Sequence, residues 1–420
     1  MNAARVVARG ALLGELEGVG LAQLRGPARC DLPVAFMTSR NRWFMYNEAR
    51  NPRLVEDRSD DVRAGKAGAL ARLVDAPDAA EPFVYFTAQL PSLWPEQARA
   101  FAARWGGGGG GGGACAVWIA SRGSGTRAHY DALDNVVVQV AGAKRLRVWS
   151  PSQHLAAHVY PDSHPRARKS QLRGDADLVQ GAAAAAGAAA SADASAAANA
   201  PLPLLRELAV PVLDIELAPG DAVAIPAFFI HELETLTETS VSCNAFRPSA
   251  AAALAARAFA RRLPPLMAPP PQQQQLGTPC LTARPAAFAA ALFAALPETA
   301  DRAGSAPGWF ARTLLQSRFA PLGADVVQSD ASERWLAAAA VEVDVRPWVE
   351  SLAEMRALLL SGGGAQDAAQ ADVAAGVVQI VAAHLAELWA VTATQRPADV
   401  PQILSLAQRL ALSRAGQLAS

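Results

Sequence analysis

The sequence predicts an α+β protein, with β-strands in its first part and helices after about residue 280. Short apolar runs bounded by turn residues recur before that point, and Val136–Val140 with Arg145–Trp149 has the pattern of a hairpin. Beyond it, Leu, Ala and Trp recur at helical spacing between Gly and Pro residues. A chain of 420 residues, of which 51% are hydrophobic, is long enough for two or three domains.

The chain is expected to begin with an amphipathic helix and to continue as strands. The helix is predicted over residues 1–25. After it, the pattern indicates paired strands with a turn at Ser39–Asn41, and the charged stretch Asn47–Lys66 is typical of a loop. Strand composition returns at Glu81–Leu90 and at Cys115–Ala120.

Three stretches of biased composition interrupt these patterns. Residues 106–113 are all glycine and residues 181–200 are rich in Ala, so both are predicted to be inserts that bury no core. Residues 264–280, rich in Pro and Gln, are predicted to link a domain at 26–263 to a helical region at 281–420.

Helices are predicted at regular intervals in this C-terminal region. They cover residues 285–297, 308–318, 331–340, 347–360, 366–392 and 398–416. The region contains no second metal motif, and a lone helical histidine such as His384 is usually structural. Packing as a helical bundle and a homodimer through these helices are both left open.

The charge balance limits the partners that the chain can attract. Lys+Arg and Asp+Glu each number 38, so no global field draws the protein to nucleic acid or to a membrane surface. Contact with RNA would therefore need a local basic patch. No apolar run is expected to cross a bilayer, so no membrane partner is expected either.

Cysteine spacing and the N-terminus bear on localisation. The four cysteines have neither CxxC nor zinc spacing, which favours reduced thiols in a cytoplasmic or nuclear protein. The first 18 residues carry two Arg, Arg5 and Arg9, before their first acid, so an organellar transit peptide is left open. Glu15 and Glu17 argue against it.

The strongest chemical signal lies in residues 126–144, TRAHYDALDNVVVQVAGAK. His129 and Asp131 stand two residues apart, a spacing that puts both side chains on one face of a strand. Together they supply two members of the two-His-one-carboxylate set that holds non-haem Fe(II). The third is expected from His231, which follows a Pro-Gly-Asp turn and a short apolar run. An ammonium at Lys144 would suit the distal carboxylate of 2-oxoglutarate.

These residues occur within two longer matching segments. HYDALDNVVVQVAGAKRLRVWSP and IPAFFIH resemble the JmjC-type 2-oxoglutarate oxygenases of the cupin superfamily, in the branch of the asparaginyl hydroxylase that modifies hypoxia-inducible factor. Within that branch the first segment is most similar to tRNA wybutosine hydroxylases, at HYD, DN, QV-G-KR and SP. The resemblance is specific over residues 116–151 and 214–247 and loose over 28–100. It implies a double-stranded β-helix, a jelly roll of two facing sheets with flanking helices.

The resemblance also implies a role for each candidate site residue. His129, Asp131 and His231 would bind Fe(II) and form the catalytic centre, while a second group would bind or orient 2-oxoglutarate. This second group consists of Tyr85, Thr126, Asn135, Lys144 and Asn244. Each of these five also suits an ordinary strand or turn position. After Asn244 the sequence continues to Arg247, where the family often has Trp, and this departure lies on the substrate side.

The implied activity is hydroxylation with dioxygen and 2-oxoglutarate. The resemblance favours a hypermodified guanosine of tRNA, a wybutosine precursor, as substrate. A local basic group would contact tRNA phosphates through Arg166, Arg168, Lys169 and Arg173. The alternatives are hydroxylation of Asn, Asp, His or Arg in a partner protein, histone demethylation, and a metal-free cupin scaffold that only binds.

Overall fold

The computed structural model describes most of both the β-rich and the helical parts. The described residues are 3–10, 14–39, 42–44, 61–77, 79, 82–105, 115–162, 164, 166–172, 202, 204–261, 279–296, 306–319, 343–361, 368–394 and 399–418. The predicted inserts at 106–113 and 181–200, the predicted helix at 331–340 and most of the predicted linker lie outside them.

The described strands form two sheets that are antiparallel except for one pair. They are β1 (Arg5–Ala8), β2 (Pro33–Ser39), β3 (Trp43–Phe44), β4 (Asp61–Lys66), β5 (Phe83–Gln89), β6 (Cys115–Ser121), β7 (Gly125–Tyr130), β8 (Asp134–Ala141), β9 (Lys144–Trp149), β10 (Leu213–Leu217), β11 (Ala222–Ile225), β12 (Ile230–Thr235) and β13 (Thr239–Arg247). The large sheet has the order β1-β11-β8-β13-β6-β5-β2-β4, and the small sheet has the order β10-β9-β12-β7-β3. The exception is β3, which pairs parallel to β7.

The chain alternates between the two sheets, as in a jelly roll. It passes from β6 in the large sheet to β7 in the small one, back to β8, and again to β9. The second half repeats this alternation from β10 to β13. Side chains on β5 and β13 contact side chains on β7 and β9, so the two sheets face each other. The predicted α+β fold with a jelly-roll core is confirmed.

Helices cover the large sheet and make up the C-terminal part. They are α1 (Leu21–Arg25), α2 (Ala67–Asp75), α3 (Leu90–Leu93), α4 (Pro95–Trp105), α5 (Ala250–Ala260), α6 (Pro279–Ala294), α7 (Ala306–Leu314), α8 (Arg346–Leu360), α9 (Ala368–Thr394) and α10 (Val400–Leu418). A π-helical turn, Leu315–Phe319, follows α7. The predicted helical C-terminal region is confirmed.

The main core of the β-rich part lies on the outer face of the large sheet. Val84 and Phe86 of β5, Val117 of β6 and Cys243 of β13 alternate to this face and are buried against α1, α2 and α4. The opposite face of the same strands carries polar side chains, described below. The large sheet is therefore apolar on the face that the helices cover and carries polar side chains on the face that lines the barrel. A barrel filled only by apolar residues would have no such polar interior.

By its internal contacts the chain forms two compact units. The first comprises residues 1–47, 54–150 and 210–252, and the second comprises 48–53, 151–209 and 253–420. All candidate metal and cosubstrate residues belong to the first unit. In the second, the ring of Phe288 packs edge-on against Trp348 and Trp389. The domain boundaries derived from sequence, and a homodimer through the helices, stay predictions.

The N-terminal expectations need correction. A single α-helix over 1–25 is wrong. Arg5–Ala8 form strand β1, which pairs with β11, and the α-helix α1 covers only Leu21–Arg25. Pairing at a sheet edge outweighs the weak helical signal of these residues. The stretch predicted as a loop up to Lys66 ends in strand β4, and β2 pairs with β4 and β5 instead of with β3.

The predicted hairpin of β8 and β9 is wrong. The two strands lie in different sheets, and the turn between them carries the chain across the barrel. Gly142 has a φ of 65° there, and a Cβ at this position would overlap the carbonyl oxygen of Thr239. Sequence cannot distinguish such a crossing from a hairpin, because both need two strands and a glycine turn.

Among the described helices, one has the length and apolar composition of a membrane span, contrary to the expectation from sequence. It is α9, and 78% of its most apolar window is buried within the protein. Burial of this extent is what a core helix shows, so the composition of α9 is weak evidence for a membrane.

Candidate metal centre

The pairing of β7 with β12 brings the two candidate histidines together. His129 stands directly opposite His231 in the antiparallel register, and their ring centroids are 4.3 Å apart. Asp131 follows the end of β7, and its Oδ2 lies 3.7 Å from Nε2 of His231. One ligand atom from each of the three side chains lies within 4.8 Å of the others, the spacing of a metal site.

Backbone carbonyls orient both imidazoles in the same way. Nδ1 of His129 lies 2.8 Å from the carbonyl oxygen of Arg127, and Nδ1 of His231 lies 3.0 Å from that of Phe229. In each ring Nδ1 then carries the proton and donates, which leaves Nε2 as the nitrogen with a lone pair. This is the usual arrangement for histidines that bind a metal through Nε2.

The register also shows that this group points into the barrel. Between β9 and β12 the opposed pairs that share one face are Val148 with His231, Leu146 with Leu233 and Lys144 with Thr235. Nζ of Lys144 donates to Oγ of Ser242 on the opposite sheet, at 2.8 Å. The face shared by His231 and Lys144 is therefore the interior face, and about 13 Å of strand separates their positions.

A β-bulge in β7 adds Thr126 to the interior face. His129 is opposite His231 and Thr126 is opposite Leu233, so β7 uses one residue more than β12 between the two pairs. Residues three apart on a regular strand would face opposite sides. The extra residue restores a common face, which is the usual effect of a bulge beside a functional site.

The predicted cosubstrate residues form three contacts. Oη of Tyr85 and Oγ1 of Thr126 are 2.7 Å apart, across the two sheets. Nδ2 of Asn244 donates to Oδ1 of Asn135 at 3.0 Å, within the large sheet. Lys144 makes the third contact, with Ser242. Tyr85, Asn135, Lys144 and Asn244 are all buried. The structure thus brings all five into the same unit as the metal ligands.

Lys144 has an unusual electrostatic position. Its side chain is 5% exposed, and burial lowers the pKa of its ammonium to about 8. Among the residues that the structure describes, no carboxylate forms an ion pair with it, and its hydrogen-bond partner is a hydroxyl. A buried cation without a counter-ion is costly, so this position favours binding of an anion.

Two contributors to the site were missed from sequence. Ser242 holds the Lys144 ammonium, and the Trp118 ring lies 5.8 Å from that of Tyr85. A signal for Ser242 exists in TSVSCNAF, where Ser240, Ser242 and Asn244 alternate with apolar residues. This period-2 pattern predicts one polar and one apolar strand face, and β13 has both.

The described residues of the predicted basic group belong to a different compact unit from the candidate metal ligands. Arg166, Arg168 and Lys169 belong to the second compact unit, and Arg173 is outside the described residues. Lys169 is only 8% exposed, so little of its surface faces solvent. Contact of this group with tRNA stays a prediction.

The donor set fits a non-haem iron. Two imidazole nitrogens and one carboxylate oxygen match the facial triad that binds Fe(II) and leaves further positions open. The carboxylate side chain of Asp131 is 28% exposed whereas His231 is 2% exposed, so the group is open to small molecules on the side of Asp131.

Comparison with known protein families gives a match that spans this site. Residues 48–249 match the family of the Cupin-like domain, a range that includes all three candidate ligands. The match covers just under half of the chain, and over this range the sequence is similar to that family.

A solved structure and the curated proteins add little to this. The chain is similar to the X-ray structure of E. coli ycfD, with 15% sequence identity, a TM-score of 0.33, and coverage of 75% of this chain and 69% of that chain. At this TM-score the likeness supports no conclusion about chemistry. No curated protein matches the chain.

Changing Asp131 to Ala is expected to weaken Mn(II) binding strongly while leaving the protein folded, because the carboxylate is one of three candidate ligands and lies at the end of a strand. Calorimetric titration of the variant with Mn(II), with thermal unfolding as a check of the fold, measures this. Asp214→Ala, at a carboxylate paired with Arg145 on the small sheet, is the matched control. Wild-type Mn(II) affinity in Asp131→Ala would show that the ligands are wrongly assigned.

Proposed function

We propose that the protein is an Fe(II)- and 2-oxoglutarate-dependent oxygenase that hydroxylates its substrate. The observation that carries this proposal is the combination, on one interior face, of the His129, Asp131 and His231 group with a buried lysine ammonium farther along the same sheet. A metal triad alone is shared by cupins of many activities. A triad with a separate buried cation suits a cosubstrate that chelates the metal at one end and carries a carboxylate at the other.

Each residue of the site has a definite task in this proposal. His129, Asp131 and His231 would hold the iron, with both imidazoles oriented by backbone carbonyls. Iron bound there would supply the oxidative decarboxylation of 2-oxoglutarate by dioxygen to succinate and carbon dioxide, with the second oxygen atom inserted into a C–H bond of the substrate. The protein supplies binding, orientation and exclusion of water.

The polar residues of the interior would bind the cosubstrate. Lys144 would pair with its distal carboxylate, and Ser242 keeps the ammonium directed into the barrel. The hydroxyls of Thr126 and Tyr85 are hydrogen-bonded to each other, so one would donate to the other and the second would donate to the same carboxylate. Asn135 and Asn244 form a joined pair of amides whose remaining donors can orient carboxylate or water near the metal.

The substrate that we propose first is a hypermodified guanosine of tRNA, on the strength of the sequence resemblance around His129. A protein side chain is the second candidate, and two observations favour it. The chain has equal numbers of basic and acidic residues, and Lys169 of the basic group is buried. Neutral proteins bind polyanions only through local clusters of exposed cations.

Replacing Lys144 by Ala is expected to raise the 2-oxoglutarate concentration needed for half-maximal turnover by about tenfold or more, because the buried distal carboxylate would be left without its cation. Lys144→Arg is expected to rescue poorly, because a planar fork does not fit the place of an ammonium. Succinate formation against 2-oxoglutarate concentration gives the result. Lys66→Ala, an exposed lysine, is the control. An unchanged requirement in Lys144→Ala would move the carboxylate anchor elsewhere.

Affinity for 2-oxoglutarate is expected to fall as the pH rises above about 8, which is the pKa of the Lys144 ammonium. Above that pH the side chain loses its proton, and with it the positive charge that would bind the distal carboxylate. The limiting slope for one proton is about tenfold per pH unit. The neighbouring Cys243 thiol does not titrate in this range, since burial raises its pKa. Calorimetric titration with 2-oxoglutarate between pH 7 and about 9.5 tests this, and Lys144→Arg is expected to lose the dependence. A flat profile in the wild type would contradict the assignment of Lys144.

If tRNA is the substrate, replacing Arg166, Arg168 and Arg173 together by Ala is expected to weaken tRNA binding. The slope of log affinity against log salt concentration should fall by about 0.7–0.9 for each phosphate that the variant no longer neutralises. Uncoupled 2-oxoglutarate turnover should be unchanged. The matched control replaces three arginines with exposed side chains elsewhere, at Arg122, Arg257 and Arg346. Absence of any salt-sensitive tRNA affinity in the wild type would favour a protein side chain instead.

A further inference from the structure

Two short connections carry the chain between the sheets beside the metal ligands. The first crossing, residues 131–133, leads from β7 to β8 and begins with Asp131. The second crossing, residues 226–229, leads from β11 to β12 and ends two residues before His231. Because β7 pairs with β12 and β8 pairs with β11, the two crossings run side by side. The geometry of the metal group therefore depends on how they are held together.

Two hydrogen bonds join the crossings. The backbone N–H of Phe228 donates to the carbonyl oxygen of Asp131 at 2.8 Å. The backbone N–H of Ala227 donates to Oδ1 of Asp134 at 3.0 Å. Asp134 is the first residue of β8 and is 4% exposed, so its carboxylate is buried at the end of the first crossing. The metal chemistry assigns no task to this carboxylate.

The second crossing is a strained turn that needs outside support. The N–H of Phe229 donates to the carbonyl oxygen of Pro226 at 3.2 Å, and Phe228 has a φ of 70°. These are the features of a type II turn, whose third position favours glycine or asparagine. A phenylalanine there keeps a left-handed backbone only when its surroundings hold it. The ring of Phe228 is buried, with its centroid 6.0 Å from that of the Tyr130 ring. The backbone N–H of Phe228 donates to the carbonyl oxygen of Asp131.

We propose that Asp134 is a positioning residue of the metal centre. By accepting the N–H of Ala227, its carboxylate fixes the second crossing against the first and so sets the placement of His231 relative to Asp131. This inference rests on the proposed function, because it takes the three ligands to bind a metal.

The hydrogen bond, and not the charge of Asp134, carries this role. Nε of Arg247 lies 3.7 Å from Oδ2 of Asp134, and its side chain is 34% exposed. That distance exceeds a hydrogen bond, and a partly exposed ion pair contributes little. Oδ1, by contrast, makes a bond of ordinary length to a backbone group within the second crossing.

Four variants separate the hydrogen bond from the charge. Asp134→Ala removes the acceptor, and Ala227→Pro removes the donor at the turn position where proline is well tolerated. Asp134→Asn keeps an acceptor oxygen but removes the charge. Arg247→Ala removes the ion pair and keeps the hydrogen bond. The loss expected on removing a hydrogen bond that supports metal ligands is about tenfold or more in metal affinity.

The experiment is calorimetric titration of the full chain with Mn(II), together with thermal unfolding of each metal-free variant. We expect affinity about tenfold weaker in Asp134→Ala and in Ala227→Pro, and affinity close to that of the wild type in Asp134→Asn and Arg247→Ala. Recovery in Asp134→Asn is the result that a general loss of stability would not produce. If Asp134→Ala does not fold, Ala227→Pro against Asp134→Asn decides the question.

Two outcomes would overturn the proposal. One is wild-type Mn(II) affinity in a folded Asp134→Ala or Ala227→Pro protein. The other is affinity in Asp134→Asn as weak as in Asp134→Ala, which would assign the effect to charge. Failure of the proposed function looks different, because the wild type would then bind no Mn(II), or its binding would persist in Asp131→Ala.

Discussion

The antiparallel register of β7 against β12 is the constraint on which the site depends. It places His129 opposite His231, two residues that are far apart in the chain. Because side chains alternate along a strand, a slip of one residue would turn one imidazole to the outer face of the sheet. The register of β12 is also fixed on its other side, where β9 pairs with it over six residues. The two histidines are thus held in place by the sheet itself. Nδ1 of His129 donates to a carbonyl within β7, and Nδ1 of His231 donates to a carbonyl in the turn before β12.

The interior of the barrel is polar at a cost in stability. Lys144, Asn135 and Asn244 are buried with few partners, whereas the outer face of the same large sheet is packed with apolar side chains. A buried cation and buried amides would be replaced by apolar residues if packing alone were selected. Their presence in the interior is accounted for if the barrel binds a small anionic molecule that supplies the missing interactions. A ligand of that kind would also restore the depressed pKa of Lys144 towards its usual value.

Sequence predicted which residues meet better than it predicted the strand connections. The spacing of His129 and Asp131 and the apolar run before His231 selected three residues that the folded chain brings together, and the resemblance supplied the jelly roll. The β8–β9 connection was misjudged because a crossing and a hairpin share the same local pattern. The bulge that turns Thr126 inward leaves no trace in composition. Ser242 could have been found from strand alternation, whereas the role of Asp134 depends on two crossings that only the folded chain brings side by side.

The most direct test of this account is a crystal structure of the protein grown with Mn(II) and 2-oxoglutarate. The account predicts one metal ion bound by Nε2 of His129, Nε2 of His231 and the carboxylate of Asp131. It also predicts 2-oxoglutarate chelating that ion, with its distal carboxylate on Nζ of Lys144. A metal bound elsewhere, or a cosubstrate that leaves the Lys144 ammonium without an anion, would contradict it.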